Sequence, residues 1–183
     1  MKQELKEWGA TLAVFVPLFM LFSGLAYEQR VIPSESMVPT LQVSDRVAVA
    51  KFAYGYDRYS LPFSLGRYLP LPKGRIFARD PKRGDVVVFE HPHAGKVMIK
   101  RVIGLPGDVV SHQGMQVFVN GKQVATRLAR TRLGITLTRG PEGPVPDNCF
   151  YVGTDHPRGF DSRYGEIGFV CRGQILGSGK AIL

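Results

Sequence analysis

The pattern of hydrophobic and polar positions divides the chain into an apolar N-terminal run and a longer alternating region. Residues 9–27 contain no charged side chain. A helix of that length rises about 28 Å, close to the roughly 30 Å hydrocarbon core of a bilayer. Trp8 and Tyr27 flank the run, and their amphipathic rings favour the headgroup level. These features predict one transmembrane helix over residues 9–27.

Two other interpretations of this run are open. Lys2 and Lys6 precede it and residues 24–26 resemble a small-x-small cleavage site, as in a secretory signal. The run is nevertheless longer than the roughly 7–15 residues of a signal core. A buried soluble helix would need a polar face, which the run lacks. With an anchor, the two lysines predict a short cytoplasmic N-terminus at 1–8 and an external domain at 28–183.

The region after the anchor alternates with a period of two and is interrupted by glycine and proline turns. Asn120-Gly121 is typical of a two-residue hairpin turn. The segments 54–81 and 127–146 have little regular pattern and are predicted to be loop-rich insertions. The first of them either lies on the membrane or is a solvated loop. A mostly β fold is therefore expected, an antiparallel twisted sheet whose strands are 45–51, 85–89, 96–103, 109–112, 116–119, 122–125, 149–153 and 169–175.

Composition and charge narrow the classes of protein. The charged fraction of 21% and the hydrophobic fraction of 44% exclude a disordered chain. Lys2 and Lys6 are balanced by Glu4 and Glu7, so residues 28–183 carry the whole net charge of +9. No recognition helix, zinc-ligand spacing or aromatic RNA motif accompanies this charge. We therefore expect an anionic bilayer surface, and no nucleic acid, as its partner.

A serine-containing motif follows the anchor closely. In Pro33-Ser-Glu-Ser-Met-Val-Pro-Thr40, two prolines restrict the backbone, and Ser34 and Ser36 lie on the same side of an extended chain. Ser/Pro clusters are usually linkers, so the motif alone is a weak indication of catalysis.

Lys100 adds a second candidate group. Alternation places Met98, Lys100 and Val102 on one face of the strand 96–103, and the opposite face is also largely apolar. Such a strand is covered on both sides, and burial lowers the pKa of a lysine. A neutral lysine accepts the proton of a serine hydroxyl, which is the chemistry of a Ser/Lys hydrolase. The alternative is that Lys100 extends to solvent or pairs with a carboxylate.

Four segments in order resemble the conserved boxes of bacterial type I signal peptidases. They are 33–41 (PSESMVPTL), 84–89 (GDVVVF), 99–108 (IKRVIGLPGD) and 160–165 (FDSRYG). The resemblance extends from the anchor to about residue 170. It implies a β-domain of signal-peptidase type behind one transmembrane helix, a serine endopeptidase on the extracytoplasmic side of the bacterial inner membrane, and neither cofactor nor metal.

The resemblance also implies roles for individual residues. Ser36 would be the nucleophile and Lys100 the general base, while the Ser36 backbone N–H and the Ser34 hydroxyl would form the oxyanion hole. Structural residues near the site would be Gly153, Asp161, Ser162 and Arg163, with an ion pair between Asp161 and Arg163. An exported precursor's signal peptide would add as a strand beside residues 32–34 and be cleaved after Ala-x-Ala. Its binding residues would be Ile32, Pro33, Met37, Val97, Met98 and Ile99.

Two departures from the family pattern bear on this interpretation. The chain has Gly153-Thr154-Asp155 where the family usually has Gly-Asp-Asn, and Gly159 where a lysine-orienting serine is common. The hydroxyl that orients the lysine is then either absent or supplied from elsewhere, by Ser162 or by water. Processing dedicated to a pilin or conjugation component is therefore an alternative to general precursor processing. A different class of alternative is a non-catalytic, membrane-tethered β-domain that binds envelope partners.

Other residues suggest weaker hypotheses. His156 with Asp155 or Asp161 would complete a Ser-His-Asp triad with Ser36, although His156-Pro157 is typical of a turn. His91 and His93 have no evident third partner for a metal. Two cysteines, at 149 and 171, are too few for a disulfide scaffold, and they either form a bridge or remain buried thiols.

Overall fold

The computed structural model describes residues 8–9, 11–19, 26–56, 75–91, 94–131 and 134–182. Within these ranges it has eleven strands. They are β1 (Tyr27–Val31), β2 (Arg46–Ala50), β3 (Val86–Glu90), β4 (Val97–Gly104), β5 (Val109–Gln113), β6 (Gln116–Val119), β7 (Lys122–Thr126), β8 (Gly143–Pro144), β9 (Cys149–Gly153), β10 (Val170–Cys171) and β11 (Ile175–Ile182).

The strands form two antiparallel sheets. The larger has seven strands in the order β1-β2-β11-β3-β4-β9-β10, and the smaller has four in the order β7-β6-β5-β8. Each described strand pair is antiparallel, including the β6–β7 hairpin that turns at Asn120-Gly121. Both turn residues have positive φ, as expected for a hairpin of this type. The predicted mostly β, antiparallel fold is confirmed.

The N-terminal run is helical at residues 8–9 and 11–19, and its apolar side chains are exposed, Phe15 by 60% and Leu18 by 61%. In the ranges given above, no helix is both long enough and apolar enough to cross a bilayer. Residues 10 and 20–25 of the predicted anchor lie outside the described residues. Tyr27, the last residue of the predicted anchor, is the first residue of β1.

The sequence prediction missed β1 because its side chains do not alternate in polarity. The strand reads Tyr-Glu-Gln-Arg-Val and lies at the edge of the larger sheet, paired only with β2 among the described strands. An edge strand has one neighbour and mostly solvated side chains, so its hydrophobic pattern is weak.

The end of the chain also differs from the prediction. Instead of one strand over 169–175, the structure has β10, a 3₁₀ turn at Arg172–Gln174, and then β11, which lies between β2 and β3. Glycines lower the strand propensity of β11. One of them is required by close packing, because a Cβ on Gly177 would lie 2.5 Å from the carbonyl oxygen of Ala50.

The core covers β4 on both faces, as the alternation of its side chains predicts. Met98 and Val102 pack into a cluster with Val87, Phe89 and Phe150. On the opposite face, Ile99 packs against a cluster formed by Ile32, Met37, Leu41 and Val47. The second cluster matters for the site, because it fixes the segment that carries the serine motif.

The two predicted insertions differ in how much of each the structure describes. Residues 57–74 of the first lie outside the described residues. The second contains β8 and an antiparallel arm, here defined as residues 126–131 and 134–140, in which Leu137 N–H donates to Ala129 O and Thr131 N–H to Ile135 O. The arm packs on the segment 161–166, with Gly165 N–H donating to Thr138 O. The described residues of this segment lie mostly outside regular strands and are held in place by these hydrogen bonds.

Cys149 and Cys171 form a disulfide that joins β9 to β10. The alternative of two buried thiols is therefore wrong. The bridge ties the outer strand of the larger sheet to β9, whose other end leads into the candidate site.

Candidate active site

Ser36 lies in a 3₁₀ turn, Glu35–Met37, which follows the extended residue Ser34. The next residue along the turn, Met37, is fully buried in the cluster beneath it. Met37 O accepts a hydrogen bond from Leu41 N–H, and Ser36 O accepts one from His156 N–H at 3.2 Å. Packing and hydrogen bonds thus hold the backbone on both sides of the serine.

Lys100 lies in the middle of β4, opposite Val87 of β3, and only 3% of the residue is exposed. Its Nζ is 2.9 Å from Ser36 Oγ and donates to the carbonyl oxygen of Ile99 at 2.8 Å. The structure therefore brings together the two residues that the sequence proposed as a pair, although they are 64 positions apart.

Burial changes the protonation of this lysine. Removal of the ammonium from water lowers the pKa of Lys100 from 10.5 to about 8, although the carboxylates of Asp161 and Asp155 act in the opposite direction. An amine with this pKa is partly neutral near pH 7. A neutral amine within hydrogen-bond distance of a serine hydroxyl has the geometry and the charge state of a general base.

Ser34 is exposed beside the pair, and its hydroxyl donates to Ser36 Oγ at 3.4 Å. The two serine side chains therefore lie on the same side of the chain, as their i and i+2 spacing predicts.

Asp161 and Arg163 form the expected ion pair, and both are nearly fully buried. The contact is bidentate, since Arg163 Nε donates to Asp161 Oδ1 at 2.8 Å and Nη2 to Oδ2 at 2.7 Å. Arg163 also donates to the carbonyls of Thr126 and Pro157 and to Thr154 Oγ1. One guanidinium thereby joins the start of the arm to the turn behind the site.

Ser162 and Gly153, the other residues predicted to have a structural role near the site, make no described contact with each other. The Ser162 hydroxyl accepts from Val152 N–H at 3.0 Å, whereas the described hydrogen bonds of Lys100 go to Ser36 and Ile99. The suggestion that Ser162 orients the lysine is therefore wrong, and the Ile99 carbonyl holds the amine instead. Gly153 lies opposite Arg101 across the β4–β9 pair and packs against Ile103.

Sequence reasoning missed an ion pair beside the dyad. Arg101 donates twice to Asp155, with Nε to Oδ1 at 2.7 Å and Nη2 to Oδ2 at 2.6 Å, and its Nη2 also donates to Thr40 Oγ1. These contacts join β4 to the turn at 155 and to the segment after the serine motif. Little in the sequence indicated this pair, because Arg101 and Asp155 are 54 residues apart. Their neighbours Lys100 and His156 were candidates for other roles.

The structure does not bring together the residues of the Ser-His-Asp triad that the sequence suggested as an alternative. His156 Nδ1 accepts from Arg158 N–H, and the two candidate aspartates bind Arg101 and Arg163. The Ser-His-Asp hypothesis therefore lacks a histidine–aspartate contact. His91 Nδ1 accepts from Ala94 N–H, while His93 lies outside the described residues. No group of three metal-ligating side chains occurs in the part of the chain that the structure describes.

Two cavities meet at Ser36 and Lys100. The first has a volume of about 390 Å³ and lies along the start of β4, where it is lined by Pro33, Val97, Met98 and Ile99. The second has a volume of about 400 Å³ and opens towards the arm. Of the residues expected to bind substrate, Ile32 and Met37 are buried in the cluster beneath and do not line the first cavity.

In this antiparallel β scaffold a serine hydroxyl lies against a buried lysine amine, and that contact is what the chemistry of a Ser/Lys hydrolase requires. Comparison with known proteins agrees with this class. The family described as "Signal peptidase, peptidase S26" matches residues 5–183, and the chain belongs to that family. The resemblance noted in the sequence is thereby confirmed.

Individual relatives give the degree of similarity. Signal peptidase I of Rickettsia massiliae (strain Mtu5) is 40% identical over 134 residues, which cover 73% of this chain and 48% of the relative. Signal peptidase I of Rickettsia typhi (strain ATCC VR-144 / Wilmington) is 36% identical over 133 residues, covering 72% and 50%. The chain thus spans about half the length of the curated relatives it matches.

A solved structure of a signal peptidase I from Enterococcus faecalis V583 is 26% identical. The match covers 55% of this chain and 97% of that one, with a TM-score of 0.37.

Proposed function

We propose that this protein is a membrane-anchored serine endopeptidase that removes signal peptides from exported precursors. The observation that carries the proposal is the 2.9 Å separation of Lys100 Nζ and Ser36 Oγ, with the amine buried. Membership of the signal peptidase family supports the same reaction class. The non-catalytic alternative gives no reason to bury a lysine against a serine, because an unpaired buried ammonium destabilises the fold.

The reaction follows from this geometry in two stages. Neutral Lys100 accepts the proton of Ser36 Oγ while the oxygen attacks the scissile carbonyl carbon. The oxyanion of the tetrahedral intermediate is stabilised by the Ser36 backbone N–H and the Ser34 hydroxyl. When the C–N bond breaks, the ammonium of Lys100 donates its proton to the leaving amine, which leaves an ester on Ser36. Water, deprotonated by the same lysine, then hydrolyses the ester and releases the acid.

The first cavity suits the acyl side of the substrate. An extended peptide fits as an added strand between residues 32–34 and β4, with alternate side chains directed towards the enzyme. Pro33, Val97 and Ile99 give this cavity an apolar wall. We propose that it selects small residues at positions −1 and −3, as in Ala-x-Ala.

The proposed location is the extracytoplasmic side of the bacterial inner membrane, with residues 9–27 as the anchor and 28–183 outside. The Cys149–Cys171 disulfide supports this location, because such bridges persist in oxidising compartments. The charge of +9 supports it further, since anionic headgroups attract a basic domain held at the surface.

Substitution of the dyad tests the proposal. Ser36→Ala and Lys100→Met should each abolish cleavage of an Ala-x-Ala precursor by the full chain in detergent micelles. Met is chosen for Lys100 because it retains the length of the side chain without the amine. The cleaved termini are identified by mass spectrometry, which also separates general from dedicated processing.

Matched controls are available on the smaller sheet. Ser111→Ala and Lys122→Ala remove the same groups from β5 and β7 and should leave cleavage unchanged. Cleavage at a near wild-type rate by well-folded Ser36→Ala or Lys100→Met would refute the assignment.

A further inference from the structure

The second cavity is not used by the acyl side of the proposed substrate. The residues that it shares with the first cavity are Ser34, Ser36, Met98, Lys100 and Phe160. From there it extends away from Pro33 and Val97, towards the arm. A peptide bond placed at Ser36 therefore has one cavity on each side. If the acyl part of the substrate runs along residues 32–34 and β4, the part released as the amine must leave through the second cavity.

The surface inside the second cavity is mainly apolar, although Glu35, His156 and Arg158 also line it. The arm contributes Leu128 and Leu137, and the opposite wall is formed by Phe160 and Tyr164. These two rings stack with centroids 5.3 Å apart. Leu128 is 43% exposed although it lines the cavity. An apolar side chain that entered here would cover exposed apolar surface on the arm, which is favourable.

Hydrogen bonds hold the arm in this position. Leu128 N–H donates to the Tyr164 hydroxyl at 3.0 Å, and Thr138 N–H donates to Glu166 Oε1 at 3.0 Å. Arg163, buried in its ion pair, donates to Thr126 O at the start of the arm. The cavity is therefore bounded by ordered walls, so binding of a ligand does not require the entropic cost of ordering them.

We infer that the second cavity is a specificity subsite for a large apolar side chain in the first two residues after the scissile bond. This inference rests on the proposed function, and it adds a requirement on the mature side of the precursor. The volume of this cavity, about 400 Å³, is close to that of the first cavity, so the inferred preference depends on its lining, namely the exposed apolar surface of Leu128 and the side chains of Leu137 and Tyr164. The residues that set the preference are Leu128 and Leu137.

The experiment compares peptide substrates with one shared Ala-x-Ala acyl side. The first or the second residue after the scissile bond is Ala, Leu or Phe, and kcat/KM is measured with the full chain in detergent micelles. The wild type should favour Leu or Phe over Ala at one of these positions by at least about tenfold, the usual range for filling an apolar pocket. In Leu128→Ala/Leu137→Ala the preference, measured as the ratio of kcat/KM values for the Leu or Phe substrate and the Ala substrate with the same enzyme, should fall below about threefold.

The arm also supplies the control. Ile135 is 61% exposed on the same arm and does not line the cavity, so Ile135→Ala should keep the full preference. Leu137→Met, which conserves volume, should retain it as well. Equal kcat/KM for all substrates in the wild type, or an unchanged preference in the double variant, would overturn the subsite and leave the proposed function intact. Cleavage of none of the substrates by the wild type would overturn the proposed function, and the subsite with it.

Discussion

At the scale of single residues, Lys100 shows how far a sequence defines a site. Apolar neighbours on both faces of β4 indicated a covered strand, but they left open whether Lys100 is buried or extends to solvent. The contact with Ser36 required the resemblance to a known family, because no pattern in the sequence relates two residues 64 positions apart. The contact with Ile99 O was not predictable, since it depends on the rotamer of one side chain.

The lowered pKa of Lys100 predicts the pH dependence of cleavage. Below about pH 8 the amine is increasingly protonated and cannot accept the proton of Ser36, so kcat/KM should fall about tenfold per pH unit. Above about pH 8 the amine is neutral and the rate should level off. A pH–rate profile on an uncharged Ala-x-Ala peptide checks this. A rate that keeps rising to pH 10 would mean that Lys100 retains an ordinary pKa.

The two departures from the family pattern, at Thr154 and Gly159, lie in contact with each other in the structure. A Cβ on Gly159 would lie 2.2 Å from Thr154 Oγ1, so the threonine side chain occupies the space that a serine at 159 would need. The Thr154 hydroxyl donates to Asp161 Oδ2, and it accepts from Arg163 Nη2. Thr154 therefore supports the Asp161–Arg163 ion pair. The contact that orients the Lys100 amine is made by the backbone carbonyl of Ile99.

At the scale of elements, the turn 154–163 and the arm depend on the buried Asp161–Arg163 pair. Loss of one member leaves an uncompensated buried charge, which destabilises a protein by about 3–5 kcal/mol. We therefore expect Arg163→Met to lower the free energy of unfolding by about that amount. Urea unfolding of the full chain in detergent, followed by tyrosine fluorescence, measures the change.

A surface pair at the end of the arm, with one partner just beyond it, gives the comparison. Arg139 contacts Glu142 with side chains 46% and 50% exposed, so Arg139→Met should change the free energy of unfolding by less than about 1 kcal/mol. Equal losses for Arg163→Met and Arg139→Met would show that the buried pair has no special structural role.

Strands with regular alternation or a clear turn were predictable, and the others were not. The β6–β7 hairpin and β9 lie where the sequence places them, because side chains and turn residues agree. The errors concern β1 and β11. The first is a polar edge strand, and the second contains glycines whose purpose is visible only when β2 packs beside it. The arm has no periodic pattern, and its order depends on contacts with residues about 30 positions away.

At the scale of the whole molecule, the disulfide and the proposed location are linked. In cells, the cysteines of an exported domain should be oxidised, because the cytosol keeps thiols reduced. After acid quenching and denaturation, a maleimide–polyethylene glycol reagent should therefore leave Cys149 and Cys171 unlabelled unless a reductant is added. Gel mobility of the full chain reports the number of labels.

The variant Lys122→Cys has one additional cysteine, at an exposed position, and this thiol has no partner for a disulfide within the chain. It should take one label without reductant, which would show that the reagent reaches the protein. Two labels on the wild-type chain without reductant would contradict the proposed location.

The position of β11 has a consequence for the order of events in time. This strand lies between two halves of the larger sheet. One half is β1 and β2, which flank the Ser36 segment, and the other is β3 and β4, the second of which carries Lys100. A ribosome synthesises residues 175–182 after every other strand described here. Until they emerge, the two halves of the larger sheet lack their common neighbour, and serine and lysine are held together without it, by direct contacts such as those between β4 and the serine segment. We therefore expect the proposed activity of the newly made chain to stay low until β11 is inserted.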